Sequence, residues 1–337
     1  MVEELLMINK ITIIGSGALG TALAKVLFDS GHENIFVYGI DNQELNELKN
    51  GKNTKYFPET IDLPNFNVES DIKKALDGAS YVITATPSFT MASVVESIQE
   101  NMNSEFLLIN GSKGFFPGTS KSLHEGMKEA TRNNPKIRGV VSLIGPSHAE
   151  EIVKQAPTTI CAVDNDRNLA SEVQNIFRND YFRVYVQTDV KGAEAGAAYK
   201  NILAIAAGIA VESGLNINTL AGLLTRGLNE MLTFAKTIGG KEKTIIGLTG
   251  VGDLIVTAMS DLSRNRQFGR EFFKNGKKAL ETKKTVEGLT ALKHVYKIGR
   301  EMKIELPIVN ALYSVIFGEE KPEDLKKYLW KRSLTNE

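Results

Sequence analysis

Gly15, Gly17 and Gly20, in the run Gly15-Ser16-Gly17-Ala18-Leu19-Gly20, have the spacing of a loop that lets a pyrophosphate approach the backbone. The first glycine permits a tight turn and the second a close approach, while the third lets the following helix pack against its strand. The helix start then offers its N–H groups and the positive end of its dipole to the phosphates, so the chemistry served is dinucleotide binding. Asp41 lies 21 residues past Gly20. An acid there can bond an adenosine ribose and repel a 2′-phosphate, which favours NAD, with NADP as the alternative. The surrounding GIDNQE reads equally as a helix start with Asp41 as its N-cap.

A second set of groups stands far downstream. The run GAEAGAAYKNILAIAAG, residues 192–208, is apolar on nearly every side of a helix and carries Lys200 and Asn201 at its centre. Burial disfavours an ammonium ion, so a lysine there is drawn from a pKa of about 10.4 toward neutrality and becomes a base for an alcohol proton. The alternative is a lysine that reaches the domain edge or pairs with an acid such as Glu194. Residues 247–269 add Asp253 between small residues and end in the cluster Ser263-Arg264-Asn265. Arg264 offers a multi-donor fork and Ser263 can cap a helix that starts there, a combination suited to phosphate. A capped surface helix with solvated arginines is the plainer alternative.

Lys113, in NGSKG, follows a strand end, where it is either site or simple loop. Ser147, in GPSHAEE, stands three residues before Glu150, the spacing of a capping box. His32, His124, His148 and His294 are scattered without ligand spacing, so no metal is expected. No nucleophile elbow or cysteine–histidine pairing suggests acyl chemistry.

The elements that must position these groups divide into two textures. From Lys10 to about Gln187, short β-branched runs at 10–15, 34–39, 81–87, 106–111, 140–145, 158–163 and 182–187 alternate with helical segments, among them 18–29, 91–101 and 169–177. That is the rhythm of βα units in a parallel sheet, here a Rossmann domain assigned to residues 1–190. Beyond Thr188 the alternation gives way to Ala-, Leu- and Lys-rich helical runs, so residues 191–337 are expected to form an all-α substrate domain. A cleft between two such domains is the usual place for an active site.

Composition is that of an ordinary globular protein rather than a disordered, fibrous or membrane one. With 337 residues the chain exceeds the usual size of one core, and 42% hydrophobic and 24% charged residues are ordinary globular values. Lys and Arg number 40, as do Asp and Glu, so no net field is available to hold nucleic acid. The single cysteine, Cys161, excludes an internal disulfide and suits a reducing compartment, for which the cytoplasm is the expected address. The acidic start MVEELLMINK lacks the basic region of a signal peptide, and translation could begin at Met1 or Met7. No apolar run reaches the roughly 20 residues of a membrane span. A homodimer is compatible with the sequence.

Taken together, these motifs resemble those of the bacterial and archaeal-type NAD(P)-dependent glycerol-3-phosphate dehydrogenases, nearly end to end. The similar segments are GSGALGTALA, KYFPETIDLP, NGSKG, GPSHAEE, GAAYKNILAIAAG, GLTGVGDLIVT, SRNRQFG and VEG at 286–288, in the family's order. The resemblance implies reversible hydride transfer between sn-glycerol 3-phosphate and dihydroxyacetone phosphate, feeding phospholipid synthesis. It also implies a C-terminal domain like that of 6-phosphogluconate dehydrogenase. By the same resemblance Lys200 is the proton acceptor and Asp253 its catalytic companion. Lys113, Gly145, Ser147, Ser263, Arg264 and Asn265 join them around the substrate. Ala18, Leu19, Tyr56, Lys113, Ala149, Arg264, Thr285 and Glu287 fall on cofactor positions beside the glycine loop. The chain departs from the family pattern at Leu19, where an aromatic residue is usual, and at Ile40, where Arg or His is frequent. Ile40 cannot meet a 2′-phosphate, which strengthens the preference for NAD. The rival readings are another two-domain dehydrogenase of a hydroxyacid or sugar acid, against which the SRNR cluster speaks, and a non-catalytic nucleotide sensor, which has no use for a buried lysine.

Overall fold

The computed structural model describes residues 9–282 and 285–325, and both candidate starts, Met1 and Met7, lie outside them. The chain divides into two compact units, Met1–Val190 and Lys191–Glu337. The first is built on β1 (Lys10–Ile14), β2 (Ile35–Tyr38), β3 (Asn67–Glu69), β4 (Ala79–Thr84), β5 (Phe106–Asn110), β6 (Ile137–Ile144), β7 (Thr158–Val163) and β8 (Phe182–Gln187). They form one eight-stranded sheet in the order β3-β2-β1-β4-β5-β6-β7-β8. The crossover between β1 and β4 is the doubly wound arrangement in which ligands bind beyond the strand carboxyl ends.

Alternate residues of the central strands serve opposite faces. Ile11, Ile13, Tyr81, Ile83, Leu107 and Ile109 belong to one core, whereas Ile14, Val82, Phe106 and Leu108 belong to another. Burial on both faces explains why these strands read as continuous apolar runs rather than alternating ones.

The sheet corrects the expectation of a wholly parallel array, since β7 pairs with β6 antiparallel and β8 with β7 parallel. The short Ala149–Ile152 helix between β6 and β7 is too brief for a full crossover, so the chain turns back beside the strand it has just left. β3 was not anticipated because its three residues, Asn-Val-Glu, carry almost no apolar signal. The helices Ala18–Asp29 and Met91–Asn101 have the expected bounds, and the third spans Arg167–Ile176.

In the second unit the described residues form helices and turns, without a strand. Its core is the 23-residue helix Val190–Glu212, buried along nearly its whole length. Gly196 lies so close to a neighbouring turn that a Cβ on it would sit 2.3 Å from the Thr249 carbonyl oxygen. That turn, Leu248–Gly252, is a wide π-type turn leading directly into the helix Asp253–Met259. The close approach at Gly196 carries Asp253 to the face of the long helix occupied, one turn later, by Lys200. Among the described residues no helix is long and apolar enough to cross a membrane.

Candidate functional site

The glycine loop has the geometry its spacing predicts. Gly15 has φ of +123°, and a Cβ on it would lie 2.6 Å from the Ala85 carbonyl oxygen. A Cβ on Gly20 would lie 1.9 Å from the oxygen of Gly15, so helix and strand meet there without room for a side chain. Over Gly17 the nearest atoms to such a Cβ are those of the Tyr56 ring, 3.7 Å away. The helix Ala18–Asp29 has no side-chain cap and no acid in its first turn. An open cradle above an uncapped helix start fits a pyrophosphate. Ala18 and Leu19, at the head of that helix, pack against the core beneath, so the aliphatic Leu19 is accommodated as a packing residue.

Behind the loop stands a carboxylate that sequence reasoning missed. Glu44 accepts from Ser16 Oγ at 2.5 Å through Oε2, and from Lys55 Nζ at 2.6 Å and Tyr56 Oη at 3.0 Å through Oε1. Burial, then the Glu44 carboxylate, pushes the Tyr56 phenol up and keeps it a neutral donor. Asp41 does cap the helix Asn42–Lys49, its Oδ1 accepting from the N–H groups of Gln43 and Glu44 at 3.0 and 3.3 Å. Its Oδ2 lies 3.1 Å from Lys55 Nζ, and that hydrogen bond leads the causes holding the Asp41 carboxyl below its usual range. Ile40 beside it is 91% exposed.

Lys113, Gly145 and Ser147 are brought together around one atom. The Gly145 carbonyl oxygen accepts from Lys113 Nζ at 2.9 Å and from Ser147 Oγ at 3.0 Å. Ser147 is therefore not the cap of a capping box: His148 holds the N-cap position of Ala149–Ile152 without a side-chain bond, because the Ser147 hydroxyl turns back to Gly145. Ala149 is the first residue of that helix and is buried.

In the second unit Lys200 is 4% exposed and Asp253 1% exposed. Lys200 Nζ donates to Asp253 Oδ1 at 2.6 Å and to Thr257 Oγ1 at 3.0 Å, so Asp253 is an acid partner of this buried lysine. Burial and the carboxylate act on this ammonium in opposite directions, the first toward the free base and the second toward the ion. Thr257 was missed, although it stands four residues after Asp253 on the same helix face, and its hydroxyl donates to the Asp253 carbonyl at 2.6 Å.

Ser263 caps the helix Arg264–Asn275, accepting from the N–H of Arg266 at 3.3 Å, and Arg264 is exposed at the helix start. Asn265 is buried: it donates to Asn201 Oδ1 at 2.8 Å and accepts from the Gly288 N–H at 2.9 Å. Asn201 in turn lies 3.4 Å from Glu287 Oε2. Three sequence-distant motifs, those of Lys200–Asn201, Arg264–Asn265 and Glu287, thus meet on one helix. Thr285 is half-buried just before Glu287. Among the described residues no group of three or more His, Cys, Asp or Glu side chains could hold a metal ion.

Comparison with known proteins bears on what such groups do. The family model described as the NAD-dependent glycerol-3-phosphate dehydrogenase N-terminus matches residues 10–170, and the corresponding C-terminus model matches residues 189–327. The chain is 53% identical to the glycerol-3-phosphate dehydrogenase [NAD(P)+] of Mycoplasma mobile over 98% of both proteins. It is 38% identical to one from Clostridium botulinum over 94% of this chain and 95% of the relative. The crystal structure of a glycerol-3-phosphate dehydrogenase from Coxiella burnetii superposes with a TM-score of 0.86 at 30% identity, covering 97% of this chain and all of that one. A ketopantoate reductase from Ralstonia eutropha, at 15% identity and a TM-score of 0.60 over 95% of this chain and 99% of that one, shares the fold alone.

Proposed function

The chain belongs to the NAD-dependent glycerol-3-phosphate dehydrogenase family, and from that premise we propose that it interconverts sn-glycerol 3-phosphate and dihydroxyacetone phosphate with NAD(P), feeding phospholipid synthesis. The observation that carries the mechanism is a buried lysine held by Asp253 and Thr257. A nicotinamide cofactor held at the glycine loop would supply the hydride acceptor or donor for C2. Lys200 takes the C2 hydroxyl proton in the oxidation and gives it back to the carbonyl oxygen in the reduction. Asp253 and Thr257 fix the direction from which Nζ reaches that oxygen, and Asp253 offsets the charge when the proton arrives.

The remaining residues position. Arg264 and Asn265, at a helix start capped by Ser263, hold the phosphate of the substrate, and Lys113, Gly145 and Ser147 also bind substrate. The glycine loop with Ser16, Ala18, Leu19, Tyr56, Lys113, Ala149, Arg264, Thr285 and Glu287 serves the cofactor. NAD is the preferred form: Asp41 and Glu44 already occupy the nearby cation Lys55, and Ile40 brings no charge to a 2′-phosphate. The reaction belongs in the cytoplasm, where the lone buried thiol Cys161 stays reduced.

Purified protein given dihydroxyacetone phosphate is expected to oxidise NADH faster than NADPH at equal concentration. Lys200→Met should abolish turnover and leave the NADH Kd nearly intact. A folded wild-type protein without turnover sinks the reading, and a clear NADPH preference overturns the role given to Asp41 and Ile40.

A further inference from the structure

Four buried polar residues, on β5, the helix Leu123–Thr131, β6 and the residue just past β7, form a chain of close polar contacts that ends at Ser112, next to Lys113. Strand register sets it up, because Asn110, the last residue of β5, pairs with Ser142 of β6, and Ser142 pairs with Val163 of β7, next to Asp164. Asn110 clamps Ser112, the residue before Lys113, its Nδ2 donating to the Ser112 carbonyl at 2.9 Å and its Oδ1 accepting from the Ser112 N–H at 3.0 Å. The second Nδ2 hydrogen goes to Ser142 Oγ at 3.2 Å. Ser142 Oγ lies 3.1 Å from His124 Nδ1, and His124 Nε2 lies 3.1 Å from Asp164 Oδ2. Asp164 is anchored in turn by the Asp166 N–H at 2.6 Å and Lys128 Nζ at 2.8 Å.

The donors run in one sense. An amide nitrogen can only donate, so Ser142 accepts from Asn110 and has its own hydrogen left for His124 Nδ1. With that hydrogen directed at Nδ1, the imidazole proton sits on Nε2, 3.1 Å from Asp164 Oδ2. All four side chains are buried, where an unmet hydrogen bond costs about 1–3 kcal/mol, so a half-satisfied chain would be worse than an apolar one.

We propose that Asp164, His124, Ser142 and Asn110 are positioning residues that hold the Ser112–Lys113 turn, and with it the ammonium of Lys113, in the orientation substrate binding requires. The inference rests on the role assigned to Lys113 above. A merely structural network would stabilise the sheet without regard to Lys113.

The test is a double-mutant cycle between Ser142→Ala and Lys113→Met, with KM for dihydroxyacetone phosphate, kcat, NADH Kd and thermal midpoint measured for each protein. Ser142→Ala alone should raise KM roughly tenfold at nearly constant kcat, and in the Lys113→Met background it should change KM and NADH Kd by less than about twofold. The same factor in both backgrounds overturns the proposal. His124→Gln, which keeps a donor toward Asp164, enters the same cycle in place of Ser142→Ala should that variant fail to fold. Independently, the side-chain nitrogen resonances of His124, assigned by their loss in His124→Gln, should report the ring proton on Nε2, and a proton on Nδ1 overturns the one-sense chain. Absence of turnover in the wild type tells instead against the reaction assigned, and leaves the resonance measurement as the test of the chain.

Discussion

Thr257 passes its hydroxyl hydrogen to the Asp253 carbonyl and so presents a lone pair to Lys200, which fixes the third partner of an ion pair. A hydrogen bond to a charged group contributes about 1.5–3 kcal/mol, so Thr257→Val, which keeps the volume and removes the acceptor, should lower kcat by roughly ten- to a hundredfold. Steady-state kinetics at saturating NADH would check this, and an unchanged kcat would mean that Asp253 alone orients the lysine. At this scale the sequence displayed residue types better than partners. Lys200, Asp253, Arg264 and the glycines were visible because their chemistry is unusual in an apolar helix or a tight turn. Glu44 and Lys55 were not, because a Glu and a Lys on a helix and a loop read as ordinary solvated charges until the fold puts them 2.6 Å apart behind Ser16. Ser147 was misassigned for a related reason, since Ser-x-x-Glu spacing cannot show that a carbonyl two residues back competes for the hydroxyl.

Among elements, the π-type turn Leu248–Gly252 depends on the bare backbone at Gly196. Wide turns of this kind recur at functional sites because they re-aim one residue, and here the residue is Asp253. Gly196→Ala would drive a methyl group against the Thr249 carbonyl, and the helix or the turn must shift. The expected outcome is a loss of about 1–3 kcal/mol of stability in urea unfolding together with a fall in kcat, without change in NADH Kd. A variant as stable and as active as the parent would show that the approach is incidental. Strand and helix positions were legible from period alone wherever an element was long and apolar, as in Ala18–Asp29 and Met91–Asn101. The reversal at β7 was not, since the direction of a strand is set by the length of its connection and by its neighbours, neither of which alters its own sequence pattern.

At the scale of the molecule, the formal charge is zero at pH 7, and acid both leaves the chain positive and protonates carboxylates that native hydrogen bonds hold ionised. Asp29 is one of them, its Oδ2 accepting from Lys25 Nζ at 2.7 Å, Tyr181 Oη at 2.7 Å and Gln155 Nε2 at 3.2 Å, so that it ties the first helix to segments flanking β7 and β8. Burial alone would push this carboxyl up, but the three hydrogen bonds outweigh it and hold it below its usual value. A depressed pKa in the folded state gives stability that is fully present above the unfolded pKa and is lost as pH falls through the folded one. Asp29→Asn should therefore be less stable than the parent at pH 7, with the difference shrinking as the solution is acidified below pH about 4. Denaturation curves at several pH values would test this, and a gap that does not vary with pH would remove the ionic part of the argument. Cys161 of β7 bears on handling of the whole chain. It is buried and its thiol is pushed up to about 11 by desolvation, so it stays a protonated, unreactive thiol at neutral pH. With no other cysteine in the chain, a single thiol introduced at an exposed position such as Phe89 would take a maleimide dye or a spin label with almost no background, and the native protein needs no cysteine removed first.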